Sequence, residues 1–333
     1  MDRIDRQIVH CLLRDGRAAF DRIGAVVGVS PQTVARRCRA LREAGLLHIA
    51  GTPDPRATNS RTWFARMICR PGTAETVGRT LSGRPDVSWV SVTSGGTEVI
   101  CAMDSTEDPE QSTMLLDRLP RAAQILRFDA FAVLHRFETP NADWSAVGDA
   151  LTPDQVHEFE ASSERTGESA KATVVLTAED APLLDALASD GRSTITVLAK
   201  ATGWPPARTS QRLHDLLASH ALHIDVELNP RAFGFTAAAF LWMNVTPGEL
   251  DAVGTTLSEH PETGFAAAIT GRSNLMTAIT CRTSDALYDY LTTRVGGLPG
   301  VHGVEVAPVL RRIKLADPRA GAASLARPNV TAR

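Results

Sequence analysis

One segment of the sequence occurs twice, and this internal repeat limits the possible folds more than any other feature. The tripeptides DGR, LHI and TLS each return, at residues 15–17 and 190–192, 47–49 and 222–224, and 80–82 and 256–258. The offset between the copies changes by a single residue along the chain. The repeat therefore indicates two copies of one unit of ~140 residues, joined by a polar segment.

Length and composition indicate a globular protein. The chain has 333 residues, of which 43% are hydrophobic, and domains usually run about 100–200 residues, so two or more domains with real cores are expected. The longest apolar stretch, 233–245, contains Thr236 and Asn244 and is shorter than the ~20 residues of a membrane helix. No signal-peptide pattern opens the sequence. We therefore expect a cytoplasmic protein without a membrane partner.

The cysteines and histidines do not form a metal-binding pattern. Five cysteines are widely spaced and never form a C-x-x-C pair, which argues against both a disulfide framework and a zinc site. His220 and His223 have no cysteine or carboxylate at ligand spacing. We expect no metal and no cofactor.

Positive charge is concentrated at the N-terminus. The net charge is −3, yet residues 1–50 contain nine arginines against five acidic residues. Residues 177–226, the matching part of the second copy, contain four basic against six acidic residues. Because a local basic patch can bind DNA even when the whole chain is acidic, only the first copy is a candidate for binding a polyanion.

Each copy begins with three helical patterns. In the first copy, Ile4, Ile8 and Leu12 share one helix face, and a short second helix follows. Gly28 then makes a turn before Ser30, which is suited to cap a third helix over residues 31–44. Three short helices with a tight turn before the third predict a helix-turn-helix.

After residue 58 the hydrophobic period changes to that of strands. Strand patterns alternate with helical patterns at 73–82 and 109–119, and in the second copy at 249–259 and 285–295. The order is β-α-β-β-α-β, a ferredoxin-like sandwich. The predicted fold class is therefore α+β, with two repeats, each a helix-turn-helix (winged-helix-like) domain followed by a ferredoxin-like βαββαβ domain.

The predicted domains follow these pattern changes. They are a first helix-turn-helix domain at 1–58, a first ferredoxin-like ligand and oligomerisation domain at 59–137, a linker at 138–175, a second, degenerate helix-turn-helix domain at 176–230, a second ferredoxin-like domain at 231–315 and a disordered tail at 316–333. Composition predicts a solvated linker with one helix near residues 153–160.

These segments resemble a known family. The run "IDRQIVHCLL", "DGR", "IGAVVGVS" and "VARRCRALREAGLL", followed by a ferredoxin-like unit with a glycine turn before its third strand, is similar to the Lrp/AsnC (feast/famine) transcription regulators. The resemblance covers nearly the whole chain, twice. It implies sequence-specific binding of double-stranded DNA and a small effector, commonly an amino acid, bound in the ferredoxin-like domains. It also implies a homo-oligomer, with the two ferredoxin-like units of one chain paired as an intrachain pseudo-dimer.

The third helix of the first copy supplies the DNA-binding candidates. With Val34 directed inward, a spacing of 100° per residue directs a polar set outward. The predicted DNA-binding residues are Gln32, Thr33, Arg36, Arg37 and Arg39. Arginine and glutamine are side chains that read guanine and adenine edges. Arg37 points closer to the core and is expected to hold a phosphate or an internal acidic group. The alternative is an ordinary solvated helix face.

The second copy does not keep this face. The positions of Gln32, Arg36 and Arg39 are taken by Ala207, Gln211 and His214, Ala40 is replaced by Asp215, and Thr33 by Arg208. The inward positions remain suited to a core. We therefore expect one DNA-reading head per chain.

Two turns are candidates for an effector site. The Gly-x-x-Asp turn of the family appears without its aspartate in both copies. The candidate effector-binding residues are Gly95, Thr97, Glu98, Gly271, Arg272, Ser273 and Asn274. Backbone N–H groups and Arg272 can bind a carboxylate, and Glu98 an ammonium. Ordinary hairpin turns are the alternative.

No catalytic residues are predicted, and the chain is not expected to be an enzyme. The sequence lacks a nucleophile elbow, a phosphate loop and an HExxH motif. Some heme-biosynthesis (siroheme) decarboxylases resemble the family and exist as fused two-copy chains, but the histidine expected of them is absent from "EVICAM" and "NLMTAIT". Such a decarboxylase, or an effector sensor with reduced DNA binding, is the alternative function.

Overall fold

A computed structural model describes residues 1–54, 57, 61–84, 86–105, 119, 121–137, 151–162 and 174–314 of the chain. The chain divides into two compact units. The first, here called the head unit, combines Met1–Ser60 with Val147–Asn229, and the second, the sheet unit, combines Arg61–Ala146 with Pro230–Leu315. Each unit therefore contains segments from both halves of the sequence.

The described elements, in chain order, are α1 (Arg3–Arg14), α2 (Phe20–Val27), α3 (Pro31–Glu43), β1 (Leu47–Pro53), β2 (Arg61–Cys69), α4 (Ala74–Ser82), β3 (Val87–Thr93), β4 (Glu98–Ser105), β5 (Ile125–Phe137), α5 (Pro153–Ala161), α6 (Ala181–Ser189), α7 (Ile195–Thr202), α8 (Pro206–Ala218), β6 (Leu222–Leu228), β7 (Ala237–Val245), α9 (Leu250–Ser258), β8 (Thr263–Ile269), β9 (Leu275–Cys281), α10 (Ser284–Asp289) and β10 (Val301–Lys314). A π-helical turn, Tyr290–Val295, follows α10.

Local sequence signals account for the first helix-turn-helix, formed by α1–α3 and here called the first head. The Asp2 carboxylate accepts from the Asp5 backbone N–H at 2.9 Å in a capping box at the start of α1. Gly28 ends α2 at φ +78°, a left-handed conformation that favours glycine. Ser30 caps α3, its hydroxyl accepting from the Thr33 N–H. The second head, α6–α8, repeats this order, with Gly203 at φ +71° before α8.

The repeated Asp-Gly-Arg tripeptides bind the two heads to each other. Arg192 donates to the carbonyl oxygens of Gly16 and Ala18, both at 2.7 Å. Arg17 donates reciprocally to the carbonyl oxygens of Gly191 and Ser193. Beside this clasp, β1 and β6 form an antiparallel two-stranded ribbon. Each copy of the tripeptide therefore contacts the opposite head.

Glycine in each tripeptide allows the close approach. A Cβ atom on Gly191 would lie 2.9 Å from the carbonyl carbon of Ala50, closer than real Cβ contacts come. The Gly191 N–H also donates to the Ile49 carbonyl oxygen at 2.8 Å. A side chain at residue 191 would push the second head away from β1.

The predicted helix near residues 153–160 is present as α5, and it packs on the first head. Phe159 is 1% exposed, with the Arg22 guanidinium 3.9 Å from its ring centroid. Gln155 donates from Nε2 to the Val26 carbonyl oxygen at 2.9 Å. Composition alone indicated a solvated linker, but residues 151–162 pack against α1 and α2.

The sheet unit is a closed, antiparallel eight-stranded barrel with strand order β10-β3-β4-β2-β5-β8-β9-β7. Strands β2–β5 from the first half meet strands β7–β10 from the second half at two junctions, β5 with β8 and β10 with β3. This is the strand pairing that the intrachain pseudo-dimer hypothesis requires.

In the described part of this unit, three hydrophobic clusters form the core. Helix α4 packs mainly on first-half strands and also contacts Ile313 of β10, while α9 packs mainly on second-half strands and also contacts Phe137 of β5. On the opposite strand faces, a third cluster mixes both halves, including Phe64, Phe131, Phe240, Trp242 and Met276. The barrel interior is thus built by both halves together.

The predicted α+β class is confirmed as a helix-turn-helix followed by an antiparallel sheet domain. The second half contains the predicted order β7-α9-β8-β9-α10-β10. In the first half, the helix predicted at residues 109–119 falls, except for Leu119, outside the described residues. Two complete repeats, and the domain boundaries, therefore stay predictions. Within the described residues, no helix has the length and apolar character needed to cross a membrane.

Candidate nucleic-acid interface

The outward face of α3 has the predicted polar side chains. Gln32, Arg36 and Arg39 are exposed, and Thr33 is half-buried. The opposite face, formed by Val34, Cys38 and Leu41, is buried in the first head. The 3.6-residue period of the helix separates the two sets.

Arg36 and Arg39 differ from Arg42, on the same helix, in their ion pairs. Among the described residues, neither guanidinium has an ion-pair partner, whereas Arg42, on the same helix, pairs with Asp190 at 3.1 Å. An unpaired guanidinium keeps its donors available for phosphate oxygens or base edges. The exposed face of α3 thus offers two positive charges and one amide.

Arg37 binds internal acidic groups, as one alternative predicted. Its Nη1 donates to Asp2 Oδ2 at 2.7 Å and Asp5 Oδ1 at 2.8 Å. Hydrogen bonds from Asp5 N–H and then from Arg37 lower the pKa of Asp2, and those carboxylates raise the pKa of Arg37. Arg37 therefore fixes α3 to the start of α1, and its predicted place among the DNA-binding residues is not favoured.

On the second head, the matching face is neutral or internally paired. Ala207, Gln211 and His214 are exposed where the first head has Gln32, Arg36 and Arg39. The Gln211 amide donates to Asp215 at 2.8 Å. Arg208 pairs with Glu179 at 2.7 Å. This face offers an approaching phosphate no unpaired arginine within the described part of the helix.

The first candidate effector turn has its carboxylate already occupied. Glu98 is completely buried and accepts from the hydroxyls of Thr93 at 2.8 Å and Ser94 at 2.7 Å, and from Arg66 Nε. Arg66 also pairs with Glu305 on β10. Because these partners satisfy Glu98, the geometry does not favour the predicted contact of Glu98 with a ligand ammonium. Gly95, at φ +69°, and Thr97 form the turn itself.

The second candidate turn is likewise partly structural. Asn274 exchanges two hydrogen bonds with Val245, at 2.8 and 2.7 Å, and so ties the turn to β7. Gly271 adopts φ +110°, and Arg272 is exposed. Of the predicted effector residues, Arg272 is the charged group whose guanidinium has no described ion-pair partner.

Two family models match the chain. Residues 1–42 match the AsnC-type helix-turn-helix domain, and residues 238–318 match the Lrp/AsnC ligand binding domain. The chain contains Lrp/AsnC-type domains. The HTH-type transcriptional regulator FL11 of Pyrococcus horikoshii is 26% identical over 136 residues, which cover 40% of this chain and 89% of that protein. The regulator LrpA of Pyrococcus abyssi is 24% identical over 136 residues, covering 40% and 96%.

A solved structure is similar over the whole chain. The siroheme decarboxylase NirDL, in complex with an iron-uroporphyrin III analogue, aligns with a TM-score of 0.61 over 97% of this chain and 96% of its own. At 12% identity, this similarity concerns the fold. It nevertheless corrects the expectation that the chain is not an enzyme, because the whole fold is one that also serves a decarboxylase.

Sequence reasoning missed three features of the head unit. The arginines of both DGR copies stand out because the tripeptide is repeated, but no local sequence pattern indicates that each arginine contacts the opposite copy. Phe159 stood in a polar segment, where one aromatic residue was the available signal of packing. The third missed feature is Trp204, which follows the turn at Gly203 in the second head and occupies the position of Val29 in the first copy. Within the described residues, no three histidine, cysteine or carboxylate side chains are grouped to hold a metal ion.

Proposed function

We propose that the chain is a sequence-specific DNA-binding transcription regulator whose helix α3 enters the major groove. The observation that carries this proposal is the exposed set Gln32, Arg36 and Arg39, in which neither arginine has an ion-pair partner in the part of the chain that the structure describes. The AsnC-type match over residues 1–42 supports the same assignment. Arginine to guanine and glutamine to adenine are the corresponding base contacts.

Selection of bound fragments from random DNA, followed by gel-shift titration, tests this function. Replacing Arg36 or Arg39 by alanine is expected to cost about 1–3 kcal/mol of specific binding and to relax sequence preference. Arg127→Ala, on β5 of the sheet unit, is the matched control and should leave the affinity unchanged. Unchanged affinity and preference in both α3 variants would refute the assignment.

We propose further that one chain supplies one reading head, and that a two-half-site operator is bound by two chains. The second head has Asp215 where phosphates would approach and no arginine at the positions of Arg36 and Arg39. Each phosphate contact changes log K by ~0.9 per unit of log salt concentration. A footprint of one bound chain should therefore protect a single half-site.

The effector proposal is narrowed to the second turn. Arg272 and the backbone N–H groups near Gly271 and Ser273 are the groups suited to a carboxylate, such as that of an amino acid. A thermal-shift screen of amino acids, repeated on Arg272→Ala, tests the site. A stabilising amino acid whose effect persists in the variant would remove this turn from consideration.

A second candidate function is decarboxylation of a tetrapyrrole, favoured by the similarity of the whole chain to NirDL. A protein with this function should bind siroheme and show its absorbance band after gel filtration. Anaerobic incubation with siroheme should then release carboxylate groups as carbon dioxide. Absence of both the band and carbon dioxide would leave DNA binding as the supported function.

A further inference from the structure

The second head contains a cavity on the surface that corresponds to the DNA-reading face of the first. Its volume is about 430 Å³, and the charged and aromatic residues that line it are Glu179, Asp180, Trp204, Arg208, Arg212 and Asp215. We propose that this cavity binds a small organic cation, an amine or guanidinium compound, through the Trp204 ring and the surrounding carboxylates. The proposal goes beyond DNA reading by α3 and does not depend on it.

The cavity already holds a guanidinium on its aromatic wall. Arg208 lies over the Trp204 ring, with Cζ 4.2 Å from the ring centroid, while its Nη2 contacts Glu179 Oε2 at 2.7 Å. An indole face and a carboxylate are the two groups that recognise a cation of this kind. The internal side chain therefore shows which ligand chemistry fits the wall.

Arg208 can leave this position at low cost. Its side chain is 54% exposed and that of Glu179 is 70% exposed. An ion pair so exposed contributes little to stability. A free amine or guanidinium can therefore replace Arg208 on the indole and take over the contact with Glu179.

The charge balance of the cavity selects a cation over an anion. Arg212 pairs with Asp180 through two hydrogen bonds, of 2.8 and 2.6 Å, and Arg208 pairs with Glu179. Asp215 remains, with an amide donor from Gln211 but no ion-pair partner among the described residues. The lining thus has one more carboxylate than guanidinium groups, and a ligand cation can neutralise it.

Comparison of the two heads separates the framework from the additions. The buried pair Asp180 and Arg212 has its equivalent in Asp5 and Arg37 of the first head. In contrast, the first head has Ile4, Val29, Thr33 and Ala40 at the positions of Glu179, Trp204, Arg208 and Asp215. Each of the four cavity-specific side chains therefore differs in charge or aromatic character from its counterpart in the first head. All four side chains line the same cavity.

Isothermal titration of the full chain with agmatine and with spermidine tests the proposal, with glutarate as the anionic comparison. We expect saturable binding of at least one cation and none of glutarate. Trp204→Val and Asp215→Ala, which restore the first-head residues, should each weaken binding about tenfold or more, equivalent to 1.4 kcal/mol. Trp204→Phe should retain part of the affinity because a benzene ring binds cations more weakly than an indole.

Asp185→Ala is the matched control, because it removes one exposed carboxylate from the same head outside the cavity. It should bind the cation like the parent chain. Failure of both cations to bind at about 10 mM, equal binding of glutarate, or equal affinity in Asp215→Ala and the parent would each overturn the proposal. DNA binding by Arg36 and Arg39 would be unaffected by any of these outcomes.

Discussion

Adjacent arginines on α3 have opposite roles because a helix turns by 100° per residue. Arg36 is exposed and has no ion-pair partner among the described residues, while Arg37 bridges Asp2 and Asp5 at the start of α1. The equivalent pair in the second head, Arg212 with Asp180, is retained although the neighbouring reading positions are not. The residue that fixes the helix is thus separable from the exposed residues proposed to read DNA.

Asp180 gives a prediction about stability against pH. Burial alone would raise its pKa, but hydrogen bonds from Arg212 and Thr177 outweigh burial and hold the pKa below the usual value of 3.8. A lowered pKa stabilises the fold fully above that value, and the stabilisation is lost as pH falls through the lower, folded-state pKa. Acid should therefore destabilise the second head below about pH 4.

Asp180→Asn should lower the free energy of unfolding at pH 7 by about 1.5–3 kcal/mol, since a hydrogen-bonded charge pair is lost. It should also flatten the dependence of stability on pH below 4, measured by urea denaturation at stepped pH. Asp185→Asn is the control at an exposed site. If the asparagine variant keeps the acid dependence of the parent, Asp180 is not the titrating group.

What could be inferred from sequence at this scale depended on local geometry. The inward and outward faces of α3 follow from helical period alone, so the burial of Val34 and Cys38 and the exposure of Arg36 and Arg39 were predicted correctly. Contact of these arginines with DNA stays a prediction. The occupied state of Glu98 was not predictable, because Arg66 lies on another strand and its second partner, Glu305, lies on β10, far along the chain. Tertiary partners decide whether a polar side chain is available.

At the scale of elements, helix α5 packs on the first head, and we expect it to stabilise that head. Phe159 is almost completely buried, and Arg22 both covers its ring and donates to its carbonyl oxygen at 3.1 Å. Phe159→Ala should lower the free energy of unfolding by about 3–5 kcal/mol, because a large apolar side chain leaves a cavity. Hydrogen exchange should locate the loss of protection in α1 and α2.

Glu158→Ala, at an exposed position on the same helix, is the control and should change stability by less than about 0.5 kcal/mol. If Phe159→Ala left the hydrogen-exchange protection of α1 and α2 intact, α5 would not stabilise the first head. Composition indicated a solvated linker because one phenylalanine among polar residues gives almost no periodic signal.

A second prediction at this scale concerns the clasp, the reciprocal hydrogen bonds that Arg17 and Arg192 make between the two heads. Arg192→Ala removes two hydrogen bonds of 2.7 Å and the contact of the guanidinium with the Phe20 ring, 4.4 Å from its centroid. Hydrogen bonds from charged groups contribute about 1.5–3 kcal/mol, so chemical denaturation should show a loss of at least that size. Arg208→Ala, an exposed arginine of the same head, should be nearly neutral.

Arg17→Ala should reproduce the effect of Arg192→Ala, since the two arginines make reciprocal contacts. If only one of the two variants were destabilised, the clasp would be one-sided. The sequence shows that the tripeptide is repeated. It does not show that each arginine contacts the other head, because the carbonyl oxygens that accept its hydrogen bonds lie in the opposite copy.

At the scale of the whole molecule, both units are built from two halves that complete each other. In the sheet unit, Trp89 stacks on Phe240 at 5.1 Å and Phe131 contacts Trp242 at 5.0 Å, each pair joining the two halves. In the head unit, the clasp and the β1–β6 ribbon join the two heads. The second head is therefore part of the architecture of the head unit, although it has no arginine at the positions of Arg36 and Arg39.

The proposal of a single reading head is tested most directly by comparing the affinities of two double variants for the selected DNA site. Arg36→Ala with Arg39→Ala should reduce specific affinity at least about tenfold and flatten its salt dependence, since two unpaired guanidinium groups are lost. Arg208→Ala with Gln211→Ala, at the equivalent face of the second head, should change affinity by less than about twofold. An equal loss in the two double variants, or protection of two half-sites by one chain, would contradict a single reading head.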